Sequence, residues 1–117
     1  MGDARQLPGP DILRGTLDLL VLKALSFRPA HGYAVARWIE QATGDALAVG
    51  EGTLYPALHR LEERRWISAS WGTSENNRQA KFYELTKTGR ARLDIETENW
   101  RRYAAAVFAA LKAPARP

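Results

Sequence analysis

Gly52-Thr-Leu-Tyr-Pro-Ala-Leu-His-Arg-Leu-Glu62 is the stretch on which the fold turns. Leu54, Leu58 and Leu61 recur at i, i+4 and i+7, the spacing of one buried stripe on a helix. The opposite face carries Thr53, Tyr55, His59, Arg60, Glu63 and Arg64. A helix over residues 51–65 is therefore expected. Pro56 falls inside it. Proline is tolerated in a first turn and damages a helix interior. The regular helix should thus start near Gly52, or its first turn should be distorted.

Downstream, Trp66-Ile-Ser-Ala-Ser-Trp71 alternates as a strand does, and Ala80-Lys-Phe-Tyr-Glu-Leu85 forms a second strand. The turn-forming residues 72–79 between them make the pair a β-hairpin. Thr86 can then cap a last helix from Lys87 to Lys112, with Asp94, Glu96 and Glu98 in its early turns and Lys112 at its end, as the helix dipole favours. Upstream, Val35, Trp38, Ile39 and Ala42 stripe a helix over 32–43 that Gly44 can stop. Residues 11–27 read as a first helix ended by Pro29, with Leu13, Leu17, Leu20, Val21 and Ala24 on one face and Leu19, Leu22 and Leu25 on others. A helix apolar nearly all round is buried on more than one side.

The order is helix, helix, helix, hairpin, long helix. This predicts a mainly α fold with a small β-hairpin: a winged helix-turn-helix followed by a long C-terminal dimerisation helix. The expected divisions are a flexible N-terminal arm over 1–10, the winged-helix unit over 11–86, the C-terminal helix over 87–112 and a disordered tail over 113–117.

Composition narrows the function. With 117 residues the chain is one domain in size, with 45% hydrophobic and 26% charged residues, as in ordinary globular proteins. No cysteine is present, which removes disulfides, thiolate metal sites and cysteine nucleophiles and fits a reducing cytoplasmic setting. Met1–Pro10 lacks the pattern of a signal peptide, and the apolar run Leu17–Leu25 is too short to span a bilayer. The net charge is +4, and the excess falls in Glu51–Arg92, where 8 Lys/Arg stand against 5 Asp/Glu. Such a segment is a candidate phosphate-binding surface or, alternatively, a solvated face. His31 and His59 are the only histidines, and no nucleophile elbow, phosphate loop or metal motif occurs. An enzyme, a cofactor and a metal are therefore not expected.

Four segments resemble the PadR family of bacterial transcriptional regulators: Leu17-Asp-Leu-Leu-Val-Leu-Lys-Ala-Leu25, His31-Gly-Tyr-Ala-Val35, Gly52 to Glu62, and Lys81-Phe-Tyr-Glu-Leu-Thr-Lys-Thr-Gly89. The Thr-Leu-Tyr-Pro block is the most specific; Leu-Thr-x-x-Gly is shared with other winged helices. The short last helix is similar to the subfamily with a single C-terminal helix. Where the family commonly has an acidic residue and glycine after Glu62, this chain has Glu63-Arg-Arg-Trp66.

The resemblance implies a homodimeric repressor binding a roughly palindromic double-stranded DNA operator. The third helix would enter the major groove, with Thr53 and Tyr55 donating to phosphates, His59, Arg60 and Arg64 on or near the same face, and Arg60 matched to the two acceptors of guanine. Tyr33, at the start of the second helix, is implied as a phosphate contact or is a packing tyrosine. Arg78 and Lys81 of the hairpin hold flanking phosphates or belong to a solvated loop. Trp100, Tyr103, Ala104, Val107 and Leu111 form a seam at spacings of three and four, for a partner helix or for the helix's own domain. The resemblance implies dimerisation through this helix and the first, with Leu13 and Leu17. In drug-sensing relatives a tryptophan at the place of Trp100 stacks on flat aromatic ligands at the dimer centre; the alternative is an ordinary interface tryptophan. A competing function for the whole chain is a winged-helix protein-interaction module without specific DNA binding.

Overall fold

A computed structural model describes residues 14–116. The elements run α1 (Arg14–Leu25), β1 (Ala30–His31), α2 (Gly32–Ala42), α3 (Glu51–Glu63), β2 (Ile67–Thr73), β3 (Gln79–Leu85) and α4 (Lys87–Lys112). The expected arm over 1–10 and Leu13 lie outside the described residues. The sheet has the order β1-β3-β2, all antiparallel. The two-residue β1 pairs Ala30 with Tyr83 and His31 with Phe82, a third strand that the sequence reading did not anticipate.

One core holds the three-helix unit to the hairpin. Leu17, Val21, Leu22 and Leu25 of α1 meet Val35 and Ile39 of α2, Leu54, Leu58 and Leu61 of α3, and Ile67 and Tyr83 of the sheet. Leu17 is 1% exposed, so it belongs to this core and not, as expected, to a surface facing a second subunit.

α3 starts at Glu51 with Gly50 as N-cap, one residue before the expected start near Gly52. Its first turn is tightened: the Gly50 carbonyl accepts from both Thr53 N (3.1 Å) and Leu54 N (2.9 Å). Pro56 falls in the second turn on the exposed side, where it removes one intrahelical donor.

The junctions explain two sequence features. The Thr86 hydroxyl accepts from Gly89 N at 3.0 Å, capping α4, and lies 2.7 Å from the Arg65 carbonyl, to which it donates. Gly89 is required by contact: a Cβ there would lie 1.8 Å from the Trp66 carbonyl oxygen. These contacts are the physical content of Leu-Thr-x-x-Gly. After α3, Arg65 N donates to the Glu62 carbonyl and Trp66 N to the Leu61 carbonyl, a Schellman ending with Arg65 at φ 63°.

Arg65 thus occupies the left-handed position where the family commonly has glycine. That conformation costs an L-residue about 1–2 kcal/mol, against about 0.5–1 kcal/mol for the extra chain entropy of glycine. Arg65→Gly should therefore stabilise the protein by roughly 0.5–1 kcal/mol in urea unfolding; an unchanged or lowered midpoint would show that the arginine side chain compensates.

Candidate nucleic-acid interface

The site begins at the amino end of α2. His31 caps this helix, its Nδ1 accepting from Ala34 N at 3.3 Å, and its ring packs edge-on against Phe82. Next comes Gly32, which is buried. A Cβ on Gly32 would lie 3.0 Å from the Tyr55 hydroxyl oxygen, so the missing side chain lets Tyr55 reach from α3 across the start of α2. Tyr33 stands beside it, 67% exposed.

The wing forms the opposite wall. At its tip Ser74 N donates to the Arg78 carbonyl at 2.8 Å, and Asn77 adopts φ 57°, a conformation asparagine tolerates. Arg78 is exposed at this tip. Lys81 is 3.7 Å from Glu62 and 5.9 Å from the Tyr83 ring centroid. Burial, with the Glu62 carboxylate and Tyr55 adding to it, pushes the Tyr83 phenol above its usual range, so it stays neutral at physiological pH. Between the walls runs an open groove of about 650 Å³, lined by Tyr33, Tyr55, Arg78 and Lys81 together with Trp71 and Glu75. Four expected side chains, from three separate segments, therefore converge.

The other four are placed differently. Thr53 is half-buried in the first turn of α3. His59 is exposed one turn beyond Tyr55, with Nε2 3.6 Å from Glu63. Arg60 departs from the expectation of a free guanidinium on this face. It turns toward α1, where NH2 donates to Asp18 Oδ1 at 2.7 Å and Nε to Oδ2 at 3.5 Å. Asp18 is the buried charge that demands this partner. Arg64 lies over the Trp66 ring at 5.0 Å, and Arg92 of α4 lies over the same ring at 4.9 Å. Neither Arg60 nor Arg64 shares the groove with Tyr55. Sequence reading missed Asp18, whose signal was a lone carboxylate inside the apolar run of α1.

α4 is a second surface. Among its residues only Gly89 and Leu93 are buried. Trp100, Tyr103, Val107 and Leu111 are exposed and Ala104 is half-buried; Phe108, absent from the expected seam, is exposed beside them. Trp100 Nε1 donates to Thr16 Oγ1 at 3.1 Å, tying α4 to the start of α1. Among the described residues no group of three His, Asp or Glu could hold a metal, and no helix is long and apolar enough to cross a membrane.

Three helices, a wing and a groove between the wing and the helices define a winged-helix protein. Residues 21–95 match the model of the transcriptional regulator PadR-like family. A protein of Lysinibacillus sphaericus named "Uncharacterized protein X" is 31% identical over 90 residues, covering 77% of this chain and 83% of that protein. A transcriptional regulator from Clostridium thermocellum superposes with a TM-score of 0.78 at 26% identity, covering 87% of this chain and 99% of the other. A PadR family transcriptional regulator from Eggerthella lenta superposes at 0.73 with 29% identity, covering 86% of each chain. The chain belongs to the PadR-like family; it is a transcriptional regulator and not an enzyme.

The ion pair makes a direct prediction. Arg60→Ala or Asp18→Ala should each destabilise the fold by roughly 2–3 kcal/mol, because each leaves a charge behind without its partner; Arg60 keeps some solvent access, which places the cost below that of a fully buried pair. The double variant Asp18→Leu, Arg60→Met should recover most of this in urea unfolding. Single variants as stable as the parent would show that the pair does not fix α3.

Proposed function

We propose that the protein is a cytoplasmic, homodimeric transcriptional repressor that binds a roughly palindromic DNA operator. The convergence of Tyr33, Tyr55, Arg78 and Lys81 on one groove carries this reading. Hydroxyls and cations there suit a phosphate backbone, leaving the exposed turns of α3 for the major groove. Tyr55, His59 and Thr53 are the α3 side chains we assign to DNA. Arg60 we assign to holding α3 in place, and Arg64 to a flanking contact at most.

The dimer reading rests on α4. A helix of 26 residues is about 39 Å long. The radius of gyration, 16.3 Å, exceeds the roughly 13 Å of a compact chain of this size, as a projecting helix requires. Its exposed apolar residues form a continuous stripe from Trp100 to Leu111 that a second copy would cover. We accordingly assign 11–86 to DNA binding and 87–112 to dimerisation. Two-fold symmetry would present two α3 helices to half-sites about one helical turn apart. Trp100, 44% exposed at the α1–α4 junction, is the residue we assign to an aromatic effector at the dimer centre. Release from DNA would then be a population shift between two arrangements of the subunits.

Selection of duplexes from a random pool, read at moderate and high salt, tests the reading. A palindromic motif whose binding weakens steeply with salt is expected. No enriched motif, with little binding at moderate salt, would contradict it and favour a protein-docking module. On the selected duplex, Val107→Asp with Leu111→Asp should give monomers in sedimentation and weaken binding about a hundredfold, the loss of a second tethered contact. Trp100→Ala should stay dimeric, bind DNA and no longer respond to a flat aromatic dye. Persisting dimers in the first variant, or monomers in the second, would reassign these residues.

A further inference from the structure

Along β2, Ile67, Ala69 and Trp71 share one face of the sheet, since alternate residues point the same way. Ile67 is 1% exposed and Ala69 packs against the core. Two residues further, Trp71 is 70% exposed. The face that α3 and the core cover at the base of the wing is thus bare at Trp71. Gly72 belongs to the other face, where the Phe82 ring occupies the space a Cβ would need, at 3.0 Å.

Its neighbours say what covers it. Trp71 is paired across the ladder with Lys81, and it lines the groove shared with Tyr33, Tyr55 and Arg78. Glu75, toward the tip, contributes the one carboxylate lining that groove. The exposed rings of Tyr33, Tyr55 and Trp71, each bearing an N–H or O–H donor, stand in this groove with Arg78 and Lys81 and match a sugar–phosphate strand: apolar deoxyribose faces alternate with phosphate acceptors. An apolar protein partner would offer the exposed Arg78 no counter-charge, and the groove is too open to enclose a small molecule.

We propose that Trp71 is a DNA-contacting residue of the wing, its indole face packing on a deoxyribose and its N–H donating to an adjacent phosphate. The assignment rests on the DNA-binding reading above. It makes the wing an apolar contact as well as a cationic one. A neutral side chain displaces no counterion, so its contribution to affinity is independent of salt.

The test uses the full chain and labelled duplexes, one selected and one of random sequence, titrated over a salt series by fluorescence anisotropy. Trp71→Ala should weaken binding about a hundredfold on both duplexes, roughly tenfold for each of the dimer's two wings from the loss of about half an aromatic burial, with the slope of log K against log salt unchanged. Trp71→Phe should recover part of the loss, and the Tm of the free protein should not move. Lys81→Ala, by contrast, should lower the slope by about 2, one phosphate contact from each subunit of the dimer. Parent-like affinity of Trp71→Ala would overturn the assignment alone. A loss of affinity matched by a lowered Tm would also overturn it, in favour of a structural role. Absence of duplex binding by the parent chain would overturn the DNA-binding reading and this assignment with it.

Discussion

The pairing of Asp18 with Arg60 is the constraint around which the rest is arranged. Asp18 sits on α1 among Leu17, Val21 and Leu22, where an unpartnered carboxylate would be costly. Arg60 reaches it from α3, 42 positions away in sequence. A helix turns about 100° per residue. Once Arg60 faces α1, the azimuth of α3 is set: Leu54, Ala57, Leu58 and Leu61 go into the core, and Tyr55 and His59 face outward. The pair contributes orientation more than net stability, because desolvation offsets much of its attraction.

With α3 so oriented, the amino end of α2 and the wing become walls of a single groove. Gly32 admits the Tyr55 ring, and the Schellman turn at Arg65 and the cap at Thr86 fix where the wing leaves and rejoins the helices. The hairpin then carries Trp71, Arg78 and Lys81 to the far wall. The groove and α4 are separate surfaces: α4 shares little of the core and leaves its distal apolar side bare.

Much of this was legible in the sequence. The bounds of α4 follow from Thr86 and the change of pattern after Lys112, and the α3 stripe follows from its three leucines. β1 was not legible, because two residues show no period and its pairing with β3 is long-range. The same limit governed the site. A basic residue on a helix reads as free until its partner is known: Arg60 finds Asp18 on α1, and Arg64 shares the Trp66 ring with Arg92 of α4. Trp71 was visible as the end of an alternating strand, but only the fold shows that it lines one groove with Tyr33 and Tyr55. Leu17 repeats the point: its helical spacing is real, yet it faces the chain's own core.

Phosphate ethylation interference on the duplex selected by the protein would probe this arrangement most directly. Two clusters of sensitive phosphates on one face of the duplex, about one helical turn apart, are expected, each weakened by Tyr33→Phe or Tyr55→Phe. A single cluster, or interference indifferent to both tyrosines, would contradict a symmetric dimer reading DNA through this groove.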